Sequence, residues 1–262
     1  MKHVGIPLKK RLFKVRRRFK EASILFQSDK QSAIEAAVRA VSSHSAILDR
    51  YIQRNPNFAK TLNPIDNEPS APPIVKAMAT VANNVKVGPM AAVAGVLADL
   101  ALEAMLNSQA TIAIVEDGGE IAASSQRDFN IGLYAGKTSI FNQIGFKILP
   151  SDCPIGVATS SATVSHATSF GEAEAVTVFA NTAALADGAA TAICNAVTGK
   201  NEETSIQRGL NRAKQLKIKG TFILRGDYAG TYGKLPQLVK IKSKPDLSRI
   251  TLLDRSSIRT LI

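Results

Sequence analysis

Residues 110–126 have the sequence ATIAIVEDGGEIAASSQ, two short runs of small and β-branched residues joined by a pair of glycines. The runs ATIAIVE and EIAASSQ have the length and the bounding residues of β-strands. Gly118 and Gly119 form a two-residue spacer, and adjacent glycines between such runs favour a tight hairpin turn. The stretch therefore predicts two neighbouring strands that pair antiparallel.

Segments of the same kind continue the chain toward the C-terminus. NIGLYAG, IGVATSS and AVTVFA are β-prone runs that mostly end at turn residues. Helical sequence follows at 181–197 and 202–216, and two more strand-like runs within 219–243 flank a Gly/Asp turn. The C-terminal half is thus predicted as strands, helices and strands.

The N-terminal half has a similar order. Its predicted elements are one or two cationic strands within 11–29, an amphipathic helix with Ser28 or Asp29 as its N-cap, a Pro/Asn-rich loop over 55–73, and helices from about Pro73 and from about Pro89 to Leu106.

Paired strands before and after helices predict an α+β fold with mostly antiparallel sheets covered by helices. Both halves run strands, helices, strands, which indicates a duplicated unit, although no clear internal repeat is visible in the letters. We expect residues 1–242 to form a single compact domain of two similar halves. The polar and basic segment 243–262 is predicted as a partly mobile tail.

Composition excludes several classes of protein. The 262 residues are 45% hydrophobic, which is enough for a substantial core, and they include no Trp. Two cysteines are too few for a disulfide framework, and no Cys/His cluster has zinc spacing. The apolar run 87–106 contains Asp99 and Glu103, so it predicts a buried helix rather than a membrane span. No signal peptide is recognisable, and a cytoplasmic location is expected.

The net charge of +12 is concentrated at the two ends of the chain. Residues 1–20 contain nine Lys/Arg and no acid, and residues 206–262 contain thirteen Lys/Arg and three acids. One hypothesis is therefore a non-catalytic binding module whose basic ends contact nucleic acid or an acidic partner. Against nucleic acid stands the lack of a recognisable binding motif and of interleaved stacking aromatics.

Two loop sequences have the residues for binding or proton transfer. VEDGGEI (115–121) could offer backbone N–H groups to phosphate oxygens at its paired glycines, or it could be an ordinary hairpin turn. TSSATVSHATSFG (159–171) contains seven hydroxyl residues around His166, an imidazole that can act as a general base. The alternative for this second segment is a Ser/Thr-rich loop that is hydrogen-bonded to its own backbone.

Two helical sequences complete the set of candidates. VGPMAAVAG (87–95) places Gly and Pro at a predicted helix start, where unpaired N–H groups attract anions, although most helix starts bind nothing. AALADGAATAI (183–193) places Asp187 and Thr191 four residues apart, on one face of an otherwise apolar helix. Those two oxygens suit Mg²⁺, or Asp187 could instead cap a helix or pair with a lysine.

Taken together and in this order, the four stretches resemble the ApbE-type flavin transferase superfamily. The match is closer to a branch of compact relatives with VGPMAAVAG, a VE-x-GG-[DE]-I turn, TSS-x-TV-x-H-x-x-SFG and AVTV…A-LAD-x-AAT. The resemblance runs from about 85 to 197 and continues more faintly through FILRGDYAGTYG. It implies a single chain of tandem T-fold-like units, with the site between the two halves.

The resemblance also implies residue roles. Gly118 and Gly119, with Glu120, would lie near a flavin nucleotide, FAD or FMN, and Asp187 and Thr191 would hold Mg²⁺. Further contacts to phosphate or flavin would come from Ser160, Ser161 and Gly171, and His166 would be the catalytic proton-handling residue. Members of the superfamily cleave the pyrophosphate of FAD and attach FMN to a Thr or Ser hydroxyl of a partner protein.

This chain departs from the transferase pattern at two points. The segment before its AVTV strand is shorter and lacks an H-I-x-D-P-x-T-G element, so only His166 can be aligned with it. Glu120 stands where an Asp is usual, which moves the carboxylate by about one ångström. The leading hypothesis is therefore a Mg²⁺-dependent protein that binds a flavin nucleotide, as a transferase or a pyrophosphatase. A homodimer through the small-residue helix 183–193 is a further, structural hypothesis.

Overall fold

The computed structural model describes residues 11–20, 22–66, 68–133, 144–162, 171–241, 250–253 and 258–260. The strands in this part of the chain are β1 (Phe13–Phe19), β2 (Ala22–Ser28), β3 (Ile112–Asp117), β4 (Glu120–Ser125), β5 (Phe129–Leu133), β6 (Ile144–Ile148), β7 (Ile155–Ser160), β8 (Ala175–Ala180), β9 (Gly220–Arg225), β10 (Tyr228–Gly233), β11 (Gln237–Ile241), β12 (Ile250–Leu253) and β13 (Ile258–Thr260). The helices are α1 (Gln31–Arg54), α2 (Pro56–Lys60), α3 (Pro73–Val85), α4 (Val93–Asn107), α5 (Ala183–Ala196) and α6 (Glu202–Ala213).

The described strands form two antiparallel sheets. The larger sheet has the order β1-β2-β3-β4-β7-β8-β9-β10, and the smaller has the order β12-β5-β6-β11-β13. Every neighbouring pair in both sheets is antiparallel. The predicted α+β fold with antiparallel sheets and covering helices is confirmed. Each half of the larger sheet is built by strands, helices and strands, and the T-fold assignment of these halves stays a prediction.

The larger sheet is the middle of three layers. On one face, the helices pack against residues such as Ala113, Val115 and Val178. On the other face, Ile114, Phe179 and their neighbours pack against the smaller sheet. Because alternate residues of a strand point to opposite faces, the central strands are apolar on both sides and appear in the sequence as continuous β-prone runs.

Four connections of the larger sheet lie at one end of it, which we call the hairpin end. The residue pairs next to these connections are Phe19↔Ala22, Asp117↔Glu120, Ser160↔Val176 and Arg225↔Tyr228. The cross-pairings Ile24↔Asp117, Ile121↔Val157 and Ala175↔Leu224 keep the strands in register, so the four connections are neighbours in space. The glycine pair 118–119, residues 161 and 162, and residues 171–174 therefore lie at the same end.

Helices α1, α4, α5 and α6 pack side by side on the larger sheet, and α3 lies against α5. Helix α5 runs toward the hairpin end, because the Glu172 amide donates to the Val197 carbonyl there (2.7 Å). Helix α4 runs the other way, since it leads into β3, which starts at the opposite end. The two helices therefore run in opposite directions. The run Pro89–Asn107 is long and apolar enough to cross a membrane, but it packs as a core helix between α1 and α5.

The structure differs from the sequence prediction at the start of α1. Its N-cap is Lys30, without a side-chain hydrogen bond, and not Ser28 or Asp29. The Asp29 carboxylate instead accepts hydrogen bonds from the amides of Thr111 and Ile112 and from the Thr111 hydroxyl. A carboxylate that bonds three donors at the entry of β3 fastens two distant parts of the chain, and this use of Asp29 replaces the capping role.

The two ends of the chain also join the sheets. The predicted cationic strand is β1, whose Lys14, Arg16 and Arg18 are exposed on one face of the strand. Within the segment 243–262, predicted as a tail, β12 pairs with β5 and β13 pairs with β11.

Candidate functional site

Helices α4 and α5 cross near their N-termini, and each supplies a carboxylate to the other. The Gly95 amide of α4 donates to Asp187 Oδ2 at 2.9 Å. The amides of Ala183 and Ala184, the first two residues of α5, donate to Asp99 Oδ1 and Oδ2, both at 2.8 Å. Unpaired N–H groups at a helix N-terminus favour negative charge. Each helix start is thus satisfied by an aspartate of the partner helix.

This reciprocal arrangement reflects a repeat in the sequence. Leu97-Ala98-Asp99 and Leu185-Ala186-Asp187 are the same tripeptide, and the same shift of 88 positions relates Gly95 to Ala183. The same shift relates the two hydrogen bonds: Gly95 donates to Asp187, and Ala183 donates to Asp99. This repeat was not recognised from the sequence alone. It identifies Asp99 as the counterpart of Asp187, and the duplication of the two halves stays a prediction.

The small residues of α5 allow close packing within the chain. A Cβ on Gly95 would lie 2.4 Å from the Ala183 carbonyl oxygen, so the two helices touch through backbone atoms. A Cβ on Gly188 would lie 2.7 Å from Val81 Cγ1 of α3. Most of α5 is buried between other helices and the sheet. The helix face on which the homodimer prediction was based is therefore packed against other elements of the same chain.

Asp99 has an unusual environment for a carboxylate. Burial raises the pKa of Asp99 to about 6, and the hydrogen bonds from Ala184 and Ala183 oppose that rise only in part. Both of its oxygens are engaged by α5 amides. Asp99 therefore fixes the position of the first turn of α5.

Asp187 and Thr191 are both half-buried on α5. One helical turn separates them, so they share a stripe of the helix, as the sequence predicted. Thr191 is nearer the hairpin end, because α5 runs in that direction. The alternative role of Asp187 as a cap is realised in part, since its carboxylate caps α4 rather than its own helix.

The paired glycines form the β3–β4 hairpin turn. Gly118 has φ +65° and Gly119 has φ +126°, values that residues with a side chain rarely adopt. The turn therefore requires glycine whether or not a ligand approaches it. A Cβ on Gly118 would meet only Glu120 Oε2, at 3.7 Å, so space remains above this backbone.

Two carboxylates flank this turn on the helix side of the sheet. Val115 and Ala122 pair with each other and pack against the helices, and two residues further along their strands lie Asp117 and Glu120, on the same face. Burial, followed by the charge of Glu116, raises the pKa of Asp117 to about 6. Asp117 was not predicted as a site residue, although it stands beside the glycines in the sequence.

The hydroxyl-rich segment is described at its two ends. Ser160 is half-buried and Ser161 is buried, and both lie at the hairpin end where β7 finishes. Gly171 packs so closely under α5 that a Cβ there would lie 1.7 Å from the Cys194 carbonyl oxygen. Residues 163–170, with the predicted catalytic His166, lie outside the described part of the chain.

The predicted anion site at the start of VGPMAAVAG has a different structure from the one expected. Pro89–Ala92 form a 3₁₀ turn, and the α-helix proper starts at Val93. Gly88 lies against Thr61, where a Cβ would be 2.1 Å from the carbonyl oxygen. One amide of the helix start is already bonded to Asp187. The anionic group at the Gly95 amide is therefore the side chain of Asp187.

The structure thus brings most of the described candidate residues to one end of the sheet and leaves Asp187 and Thr191 on α5, in the helix layer. The glycine pair, Glu120, Ser160, Ser161 and Gly171 lie at the hairpin end, and α5 extends toward it with Thr191 leading Asp187. Among the described residues, no three His, Cys, Asp or Glu side chains are placed to hold a metal ion together. A cation in this region would need oxygen ligands from a substrate or water in addition to those of the protein.

Comparison with known proteins adds relatives and a shared fold. A family model described as "AbpE bacteria" matches residues 8–219. The UPF0280 protein MJ1526 of Methanocaldococcus jannaschii is 42% identical over 241 residues, which are 91% of this chain and 98% of the relative. A UPF0280 protein of Methanococcus vannielii is 41% identical over 236 residues, 89% of this chain and 95% of the relative.

Two solved structures are similar to this chain. The flavinyl transferase ApbE of Pseudomonas stutzeri, in its apo form, superposes with a TM-score of 0.59 at 14% identity, covering 87% of this chain and 96% of that one. The ApbE protein of Thermotoga maritima gives a TM-score of 0.53 at 13% identity, covering 84% and 96%. At this identity, the likeness shows a common fold. From the family match and the close relatives together, the chain belongs to the family described as AbpE bacteria and is a relative of the UPF0280 proteins.

Proposed function

We propose that this chain binds a flavin dinucleotide at the hairpin end and, with Mg²⁺, acts on its pyrophosphate as an FMN transferase or an FAD pyrophosphatase. The observation that carries the proposal is the convergence at one end of the sheet. The paired-glycine turn lies at the same end as Ser160 and Ser161, and α5, which carries Asp187 and Thr191, runs toward this end. The flavinyl transferase ApbE of Pseudomonas stutzeri has the same fold, which supports a flavin nucleotide as the substrate.

The donor set fits a magnesium ion in its chemistry. Asp187 and Thr191 are both half-buried, so water and a ligand can reach them. Asp187 Oδ2 accepts a hydrogen bond from the Gly95 amide, and a carboxylate has about four lone-pair sites, so a carboxylate can accept such a bond and also ligate a cation. The Gly95 amide would also hold the carboxylate in one orientation. When bound, the ion would offset the negative charge of the pyrophosphate.

The remaining residues would bind and orient the nucleotide. The open space above Gly118 would let the backbone approach a phosphate, and the hydroxyl groups of Ser160 and Ser161 could donate to its oxygens. Gly171 would contribute indirectly, by holding the end of the hydroxyl-rich segment against α5. His166 remains the predicted proton-handling residue. A nucleotide at the hairpin end would thus contact both halves of the chain.

Thermal unfolding with FAD and Mg²⁺ tests this proposal. We expect the two together to raise the melting temperature of the wild type, because a ligand that binds only the folded state stabilises it. Asp187→Asn should lose the shift: its amide oxygen still accepts from Gly95, but the charge that would hold the metal is gone. Glu103→Gln is a matched control, since Glu103 occupies in α4 the position of Thr191 in α5. An equal shift in Asp187→Asn, or no shift in the wild type, would overturn the proposal.

A second candidate function rests on the exposed cations of β1. Lys14, Arg16 and Arg18 project from one face of this edge strand and could contact nucleic acid or an acidic partner without any catalysis. Retention on heparin that falls steeply with salt, and that is lost when all three are changed to Ala, would support it. Absence of retention at low salt would exclude it.

A further inference from the structure

A cavity in the helix layer has no lining residue in common with the proposed flavin site. It has a volume of about 450 Å³ and opens between the C-terminal half of α1 and the segment that leads into α3. One wall comes from α1 with Ile47, Arg50, Tyr51 and Arg54, at the spacing of a single helical face. The opposite wall consists of Asn55, Glu68, Ser70, Ala71 and Pro72. The volume is within the range of small-molecule sites.

The two arginines are the chemically distinctive part of this cavity. Within the part of the chain that the structure describes, neither Arg50 nor Arg54 has a hydrogen bond or an ion pair with a protein group. The neighbouring Asp49 pairs with Lys20 instead. These two guanidinium groups are one helical turn apart and make one wall of the cavity cationic. Each group is planar and presents its N–H donors in a fixed arrangement.

The carboxylate of the cavity is engaged by other groups. Glu68 accepts a hydrogen bond from the Tyr51 hydroxyl (3.4 Å) and another from the Ser70 hydroxyl (3.0 Å). Burial and the charge of Glu68 raise the pKa of Tyr51, which keeps the phenol protonated as a donor. Glu68 therefore fixes the tyrosine, whose ring also meets Phe58 edge to face. The charged side chains of the lining retain a net positive charge.

We propose that this cavity binds a phosphate monoester, with the phosphate on Arg50 and Arg54 and the organic portion against Tyr51 and Pro72. Two guanidinium forks offer more donors than one carboxylate can accept, and they match the three terminal oxygens of a phosphate. The tyrosine ring and the apolar residues Ile47 and Ala71 provide a surface for a ring or a chain. This site shares no residue with the proposed flavin site and does not depend on it.

Calorimetric titration with phenyl phosphate at low ionic strength tests the site. We expect the double variant Arg50→Ala/Arg54→Ala to bind phenyl phosphate at least about tenfold more weakly than the wild type, because it loses two charge-assisted contacts. Arg39→Ala is the matched control, since Arg39 is an exposed arginine of α1 outside the cavity, and it should bind like the wild type. Equal affinity in the double variant, or an equal loss in Arg39→Ala, would overturn the proposal.

Further comparisons test the rest of the proposal. Glu68→Gln should tighten phenyl phosphate binding severalfold, because it removes an opposing charge from the cavity. Inorganic phosphate should bind more weakly than phenyl phosphate, and Tyr51→Ala should remove that difference. Benzoate should bind more weakly than phenyl phosphate; the reverse order would contradict a phosphate site. The stabilisation of the double variant by FAD and Mg²⁺ should be unchanged, which separates this inference from the flavin proposal.

Discussion

Helices α4 and α5 contain the same Leu-Ala-Asp sequence but use its aspartate differently. Asp99 of α4 engages the first two amides of α5 with both oxygens, whereas Asp187 of α5 accepts from Gly95, an amide further inside α4. One turn after each aspartate, α4 has an exposed Glu103 and α5 has a half-buried Thr191. The comparison indicates that Asp99 joins the two helices with both of its oxygens, whereas Asp187 and Thr191 are the pair that we propose as metal ligands.

The largest expected effect comes from removing Asp99. Asp99→Ala leaves two amides of the first turn of α5 without their acceptor, so we expect the free energy of unfolding to fall by about 3 kcal/mol. Asp187→Ala removes the acceptor of a single α4 amide and should cost about 1 kcal/mol. Urea denaturation at pH 7 measures both values. Equal losses would show that the two aspartates do not differ in structural role.

The close crossing of the two helices gives the next effect. Gly95→Ala would place a Cβ 2.4 Å from the Ala183 carbonyl oxygen, and separating the helices should cost about 2 kcal/mol. Gly118→Ala meets no close atom and should cost only about 1 kcal/mol, through its positive φ. Urea denaturation of the two variants compares packing with backbone strain. A Gly95→Ala protein as stable as the wild type would contradict the direct backbone contact.

The raised pKa of Asp99 predicts a specific dependence of stability on pH. Because its pKa is about 6 in the folded protein and 3.8 in the reference state, the folded form holds the proton more tightly. The stability that comes from this bound proton is therefore fully present below about pH 3.8 and is lost as the pH rises through about 6. As the pH rises from 4 to 7, the urea midpoint of the wild type should fall relative to the midpoint of Asp99→Asn. A constant difference would contradict the raised pKa.

The smallest expected effect on stability is at the position that we assign to function. Thr191→Val is nearly isosteric at a half-buried position and should change the free energy of unfolding by less than about 0.5 kcal/mol. It should nevertheless weaken the stabilisation by FAD and Mg²⁺, whereas Glu103→Gln at the equivalent position of α4 should leave it intact. Thermal unfolding with and without the ligands checks both variants. Full retention of the ligand effect in Thr191→Val would remove this residue from the site.

The sequence predicted the fold class because strand alternation, turn glycines and helix periodicity are local signals. The hairpin at Gly118 and Gly119 and the amphipathic α1 are examples. The role of Asp29 could not be read in this way, since its donors lie 82 and 83 positions away in the chain. Local capping rules therefore assigned Asp29 to the start of α1 instead of to the amides of Thr111 and Ile112.

The candidate site was predicted only in its residue types. Asp187 and Thr191 were identified as a pair from their spacing, but the bond to Gly95 depends on how two helices cross. The repeated tripeptide at 97–99 and 185–187 was a usable signal for that crossing, and it was missed. The burial of Asp117 also depends on tertiary packing, so nothing next to it in the chain indicated its raised pKa.

Native mass spectrometry of the protein after incubation with FAD and Mg²⁺ tests the central claim most directly. The account predicts a complex with one flavin nucleotide and a divalent ion for the wild type and for Glu103→Gln, and loss of the ion with weaker flavin retention for Asp187→Asn. A wild-type protein that retains no flavin, or an Asp187→Asn protein that retains both species as the wild type does, would contradict it.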